Sequence, residues 1–251
     1  MEERELLDIL GISVDKVDMR KAISIFSNLM ETDECSLIVT PNSEIIMNAT
    51  KDESLRKIIE SADLVIPDGI GLVYASKLLG QPLKERVTGI DFMEMILIWL
   101  QEHEKSIYLF GSKPENEEQE AVCELAAKKK QIQYPNLKIA GTHHGYFKPE
   151  EEDSIVEHIN ASGADFLCVA LGSPKQEEFI ARHRKRLKVK AAIGVGGSFD
   201  VWAGTLKRAP EFYQNHGLEW LYRFIQEPTR YKRMAALPAF MIKVMTAKTK
   251  A

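Results

Sequence analysis

The sequence predicts an α/β fold, a Rossmann-like and mostly parallel sheet with helices on both faces and a helical C-terminal appendage. Two observations carry this. Short, nearly continuous apolar runs recur, each followed by a polar turn and then a segment of helical spacing, which is how strands buried on both faces alternate with crossover helices. From about residue 205 the alternation stops and only helical patterns follow.

In chain order the strand runs are "SLIVTPN", "DLVIPDG", "SIYLFGSKP", "LKIAGTHHGYF", "DFLCVALGSPKQ" and "KAAIGVGGSFD". Between the second and third, "MEMILIWLQEHE" reads as a helix with Met95, Ile96, Trp99 and Leu100 inward. "GIGLVYASKLL" reads as another, which Asp68 would N-cap and Gly80 would close. After the third run, Pro114 and the nearby glutamates suit the first turns of a helix. Ser173 is a candidate N-cap with Pro174 in the first helical position, which leaves Gln176 without a structural duty. Pro210 and Pro228 suit helix starts in the appendage. The boundary falls at 1–204 for the sheet domain and 205–251 for the appendage.

The 251 residues, 45% hydrophobic and 28% charged, suffice for an ordinary core without staples. Three scattered cysteines give no disulfide framework or zinc spacing, which fits a reducing cytoplasm. The acidic start "MEERELLDIL" does not resemble a signal peptide, and no apolar stretch reaches the ~20 residues that span a bilayer. A net charge of -4 argues against nucleic acid as a partner. Bases nevertheless cluster in "RHRKRLKVK", which reads as a solvated helix end, and between Arg223 and Arg233.

In open α/β sheets ligands lie beyond the carboxyl ends of the strands. Each polar turn marks such an end, so Thr40, Asn42, Asp68, Gly111, Ser112, Gln176, Gly196, Gly197 and Ser198 should share one rim. Asp68, in "ADLVIPDGIGLV", is either a helix cap or a general base presented on a turn loosened by two glycines. Arg86 and Asp91 in "KERVTGIDF" could pair with each other or address a phosphate. "GVGGSF" lacks the third glycine of a dinucleotide fingerprint, since Phe199 stands there, which counts against an NAD- or flavin-dependent oxidoreductase. No HExxH, Cys/His cluster or Asp-x-Asp suggests a metal, so no cofactor is expected and a diphosphate would be met by cations and N–H groups. On one continuous helix Arg223, Arg230 and Arg233 would fall within about a quarter-turn. Mixed with Trp220, Tyr222, Phe224 and Tyr231, they describe a segment at a membrane surface or one docked on a dimer partner.

The blocks "VTPNSEII", "ADLVIPDGIGLV", "RVTGIDF", "LFGSKPE", "LGSPKQE", "GVGGSFDVWAG" and "GLEWLYRFIQEPTRYKR" together resemble the WecG/TagA/CpsF glycosyltransferases over nearly the whole chain. The resemblance implies a metal-independent, inverting transfer of N-acetylmannosamine from UDP to N-acetylglucosamine on undecaprenyl diphosphate, as in a teichoic-acid linkage unit. A uronate, glucose or galactose donor is the alternative within the family, and the uronate would need a further cation in the pocket. The resemblance places the general base at Asp68, substrate-lining positions at Thr40, Asn42, Arg86 and Gln176, and the nucleotide side at the 194–197 turn. It assigns Arg223, Arg230 and Arg233 to the lipid diphosphate. It further implies a homo-oligomer, expected as a dimer, in the cytoplasm on the inner face of the cell membrane. A non-enzymatic membrane-docking module would share the appendage but leave the polar rim without a use.

Overall fold

The structure, a computed structural model, describes residues 4–114, 120–226 and 236–248. A sheet of six parallel strands forms the centre: β3 (Ser36–Val39), β4 (Leu64–Val65), β5 (Ser106–Gly111), β6 (Lys138–His143), β7 (Phe166–Ala170) and β8 (Ala191–Gly194). Their order is β4-β3-β8-β7-β5-β6. All six apolar runs read as strands are strands, and the sheet is parallel throughout.

Side chains alternate across the sheet with the period of two that strands impose, and this divides the core. Leu37, Val39, Val65, Tyr108, Phe110, Leu167, Val169 and Ala192 face one layer of helices. That layer comprises α2 (Ser43–Ala49), α3 (Glu53–Glu60), α4 (Ile70–Leu78), α7 (Glu152–Ala161) and α8 (Lys175–His183). Ile38, Leu64, Ile107, Leu109, Phe166, Cys168, Ala191 and Ile193 face the other, formed by α1 (Met19–Leu29), α5 (Gly89–Glu102), α6 (Val122–Gln133) and α9 (Ser198–Ala203). Eight further residues, Leu6–Ile9 (β1) and Ile12–Asp15 (β2), build an antiparallel hairpin that the strand pattern does not foretell. Its two-residue loop, Leu10–Gly11, has positive φ at both positions, as the twist of a tight hairpin requires. Buried Asp15 joins the hairpin to the sheet by accepting from the Val65 N–H at 2.7 Å.

Several local expectations change. On α5 the inward residues are Ile90, Phe92, Met93, Ile96, Leu97, Trp99 and Leu100, while Met95 is exposed. Helix α6 starts at Val122, so Pro114 is not in its first turn. Ser173 is not a cap; Pro174 holds that position and the Ser173 hydroxyl faces Glu177 instead. The basic run that ends α8 is a structural fringe, with Arg182 bridged to Glu152, Arg184 to Asp63 and Arg186 to Asp153.

Beyond α9 the chain forms α10 (Glu211–Asn215), preceded by Pro210, then α11 (Glu219–Gln226) and α12 (Ala236–Lys248). Pro228 lies outside the described residues. Phe240 and Val244 of α12 are buried in the same core as α2 and α4. Among the described residues no helix is long and apolar enough to cross a membrane.

Candidate active site

The ladder between β3 and β4 explains how two distant turns meet. After the two paired residues of β4, Ile66 donates to the Val39 carbonyl and Asp68 to the Pro41 carbonyl, each at 2.9 Å. Pro67, between them, has no N–H to place. The turn after β3, carrying Thr40 and Asn42, is thereby held beside the turn carrying Asp68.

Asp68 is not the helix cap that its local sequence suggests. Gly69 occupies the N-cap of α4 with φ 87° and no side-chain cap bond is made. Gly80 does lie just past the C-terminus in the left-handed region, its N–H on the Lys77 carbonyl. The Asp68 carboxylate turns to the start of α5, where the Gly89 N–H is directed at it. Thr88 caps that helix by accepting from the Asp91 N–H at 3.2 Å. A Cβ on Gly89 would lie 3.4 Å from the Thr40 Oγ1 and 3.5 Å from the Asp68 Oδ2, so Gly89 marks the point where the three segments converge.

Burial pushes the Asp68 carboxyl up to about 6, and the charge of Glu219 acts in the same direction. Arg223, the Gly89 N–H and Arg86 oppose this. A carboxylate so balanced is ionised at neutral pH yet more basic than one in water, the condition under which a carboxylate accepts a proton well.

Asp68 opens into a cavity of about 630 Å³ at the carboxyl ends of the strands. Thr40, Asn42, Arg86, Ser112, Gln176, Gly196, Gly197, Ser198 and Arg223 all line it, so one cleft collects residues from six separate turns and from α11. Gly111 does not. Its φ of +123° and the Ala170 carbonyl, 2.5 Å from any added Cβ, make it a packing glycine between β5 and β7. Ser112 follows with φ 64°, its Oγ donating to the Gly111 carbonyl at 2.6 Å. Arg230 and Arg233 lie outside the described residues.

Two lining residues have structural duties that the sequence conceals. Asn42 caps α2, its Oδ1 accepting from the N–H groups of Glu44 and Ile45 at 2.9 and 3.0 Å. Gln176, buried, accepts from the Gly196 N–H at 3.0 Å and donates to the Glu177 Oε1 at 2.8 Å. The glycine turn is therefore pinned by a side chain, and the Gly196 N–H is already engaged. Gly194 has no side chain because one would collide with the Gln176 amide. Arg86 and Asp91 do not pair with each other: Arg86 bridges Glu219 at 2.9 Å, and Asp91 bridges Arg208.

Glu219, Glu177 and Gly89 are the site-forming residues that sequence reasoning passed over. For Glu219 the available signal was its four-residue spacing from Arg223, which puts both on one helix face. Among the described residues no group of His, Cys, Asp and Glu is disposed to hold a metal ion. The arrangement can thus offer a base, two arginines and a polar rim to an anionic, hydroxyl-bearing ligand.

Comparison with known proteins agrees in kind. The family model "Glycosyl transferase WecG/TagA/CpsF family" matches residues 7–251. A protein of Bacillus spizizenii (strain ATCC 23059 / NRRL B-14472 / W23) is 36% identical over 216 residues, covering 86% of this chain and 81% of that one. Proteins of Staphylococcus aureus strains MRSA252 and MW2 are 35% identical over 246 residues, covering 97% of this chain and 94% of theirs. All three are named N-acetylglucosaminyldiphosphoundecaprenol N-acetyl-beta-D-mannosaminyltransferase.

Proposed function

The chain belongs to the glycosyl transferase WecG/TagA/CpsF family, and on that premise we propose that it transfers N-acetylmannosamine from UDP-N-acetylmannosamine to N-acetylglucosamine on undecaprenyl diphosphate. It is a glycosyltransferase, and the relatives' names supply the acceptor and the sugar. The observation that carries the mechanism is the desolvated Asp68 at the floor of a cleft flanked by Arg86 and Arg223.

In this reading the Asp68 carboxylate takes the proton from the acceptor's 4-hydroxyl as that oxygen attacks the anomeric carbon. The bond to UDP breaks on the opposite face, which inverts the centre, and the leaving diphosphate carries away the electron pair. Arg86 and the open face of the glycine turn attend the UDP side. Thr40 and Asn42 border the sugar beside Asp68. Arg223, joined by Arg230 and Arg233, addresses the lipid diphosphate, which brings the enzyme to the inner face of the cell membrane as a peripheral protein. Neutralisation by arginine and N–H groups makes a metal unnecessary.

The test is transfer from a panel of labelled UDP-sugars to a short-chain prenyl-diphosphate N-acetylglucosamine with chelator present. Transfer from UDP-N-acetylmannosamine, undiminished by the chelator, is expected. Preference for a uronate or a hexose donor would move the chain to another branch of the family, and loss on chelation would end the metal-free mechanism.

A further inference from the structure

Glu219 performs no step in the transfer above, yet it is built into the cleft. Its bridge to Arg86 joins α11 to the loop before α5, and the two side chains are only 20% and 18% exposed. An acid in the first turn of a helix gains what the helix dipole offers while remaining in water. Here the carboxylate is instead drawn inward onto an arginine, where screening by salt is weaker than at the surface.

Helix α11 is otherwise held by half-buried side chains, Leu221, Tyr222 and Phe224 among them. It carries no fully buried residue, and Trp220 and Ile225 are exposed on it. Gln226 donates to the Lys207 carbonyl at 3.1 Å and Tyr222 packs on Tyr213, contacts that tie α11 to neighbouring parts of the same C-terminal stretch. The Arg86 bridge reaches the sheet layer. One turn beyond Glu219, on the same face, Arg223 lines the cavity and acts on Asp68 more strongly than Arg86 does.

We propose that Glu219 is a positioning residue: its bridge to Arg86 latches α11 over the cleft and thereby keeps Arg223 beside Asp68. The inference rests on the reading of Asp68 as the base. Arg86 then serves the site twice, as a cation of the cleft and as the anchor of its cover. The groups facing Asp68 are Arg223, the Gly89 N–H, Glu219 and Arg86, so loosening the latch alters the charge balance at the base as well as the geometry.

The experiment compares the full chain with Glu219→Gln, Arg223→Gln and the double variant. Acceptor kcat/KM is measured alongside UDP affinity and acrylamide quenching of tryptophan. Trp220 is 37% exposed whereas Trp99 and Trp202 are 8% and 5%, so quenching reports chiefly on α11. Glu219→Gln should lose on the order of 10²-fold in acceptor kcat/KM, the scale of a misplaced catalytic geometry, with UDP affinity retained and Trp220 more readily quenched. The double variant should be no worse than Arg223→Gln, because Glu219 acts through Arg223. Losses that multiply with quenching unchanged would overturn the latch in favour of a direct contact, and an unaffected kcat/KM would reduce the bridge to a surface pair. If the parent moved no sugar at all, the proposed reaction would fail while quenching still decided the latch.

Discussion

At the scale of the residue, Asp68 shows why a cap and a base are hard to separate in sequence. A carboxylate before a glycine and a helical run satisfies every local rule for capping, and the alternative depends on Gly89 and Arg223, both distant along the chain. Folding leaves the cap to Gly69 and directs the acid into the cleft at a cost in stability. The sign follows from its raised pKa: the folded state holds the proton from about pH 4 to about 6, so stability falls as pH rises through that window and the full cost persists above it. Asp68→Asn should therefore stabilise the protein at pH 8, on the order of 1–3 kcal/mol after allowance for partial exposure, with the gain shrinking toward pH 4. Denaturant titrations at the two pH values check this; destabilisation at pH 8 would restore a structural role. Gln176 teaches the reverse lesson. Its apparent lack of duty in the sequence reflected partners, Gly196 and Glu177, whose placement depends on the fold.

At the scale of the element, what could be read was whatever local chemistry decides. Six apolar runs ending in polar turns were enough to find six strands and the rim at their carboxyl ends. The β1–β2 hairpin escaped because its turn uses Leu10, a residue that seldom takes positive φ, ahead of Gly11. Met95 misled because α5 is apolar on much of its circumference, so periodicity fixed the helix better than its buried arc. The glycine turn after β8 invited a phosphate-binding reading that its hydrogen bonds narrow, since Gly194 admits Gln176 and Gln176 holds Gly196. Gly194→Ala should push the amide away and overpack the turn, costing about 1–3 kcal/mol and weakening UDP binding. Calorimetric titration with UDP tests it, and full affinity would show that the turn does not depend on Gln176.

At the scale of the whole molecule, the C-terminal stretch is both cover and core. Helix α11 borders the cleft, whereas α12 buries Phe240 and Val244 against α2 and α4, the helices that follow the Thr40 and Asp68 turns. The end of the strand–helix alternation near residue 205 was legible, but a change of pattern does not say whether a segment packs on the sheet layers. Phe240→Ala should cost about 3–5 kcal/mol, as removal of a fully buried aromatic does, and urea unfolding measures it. A loss below about 1 kcal/mol would mean that α12 is an ornament of the fold and not a part of its core.

The central claim is that Asp68 is the base of a transferase. The pH dependence of kcat/KM for transfer to the prenyl-diphosphate acceptor, measured for the parent and for Asp68→Asn, tests it most directly. The account predicts an acidic limb near pH 6 in the parent, where the half-buried Asp68 carboxylate gains its proton. It predicts that the variant is slower by about 10²–10⁴ and has lost that limb. A variant that keeps the parent's rate and the same limb would contradict it.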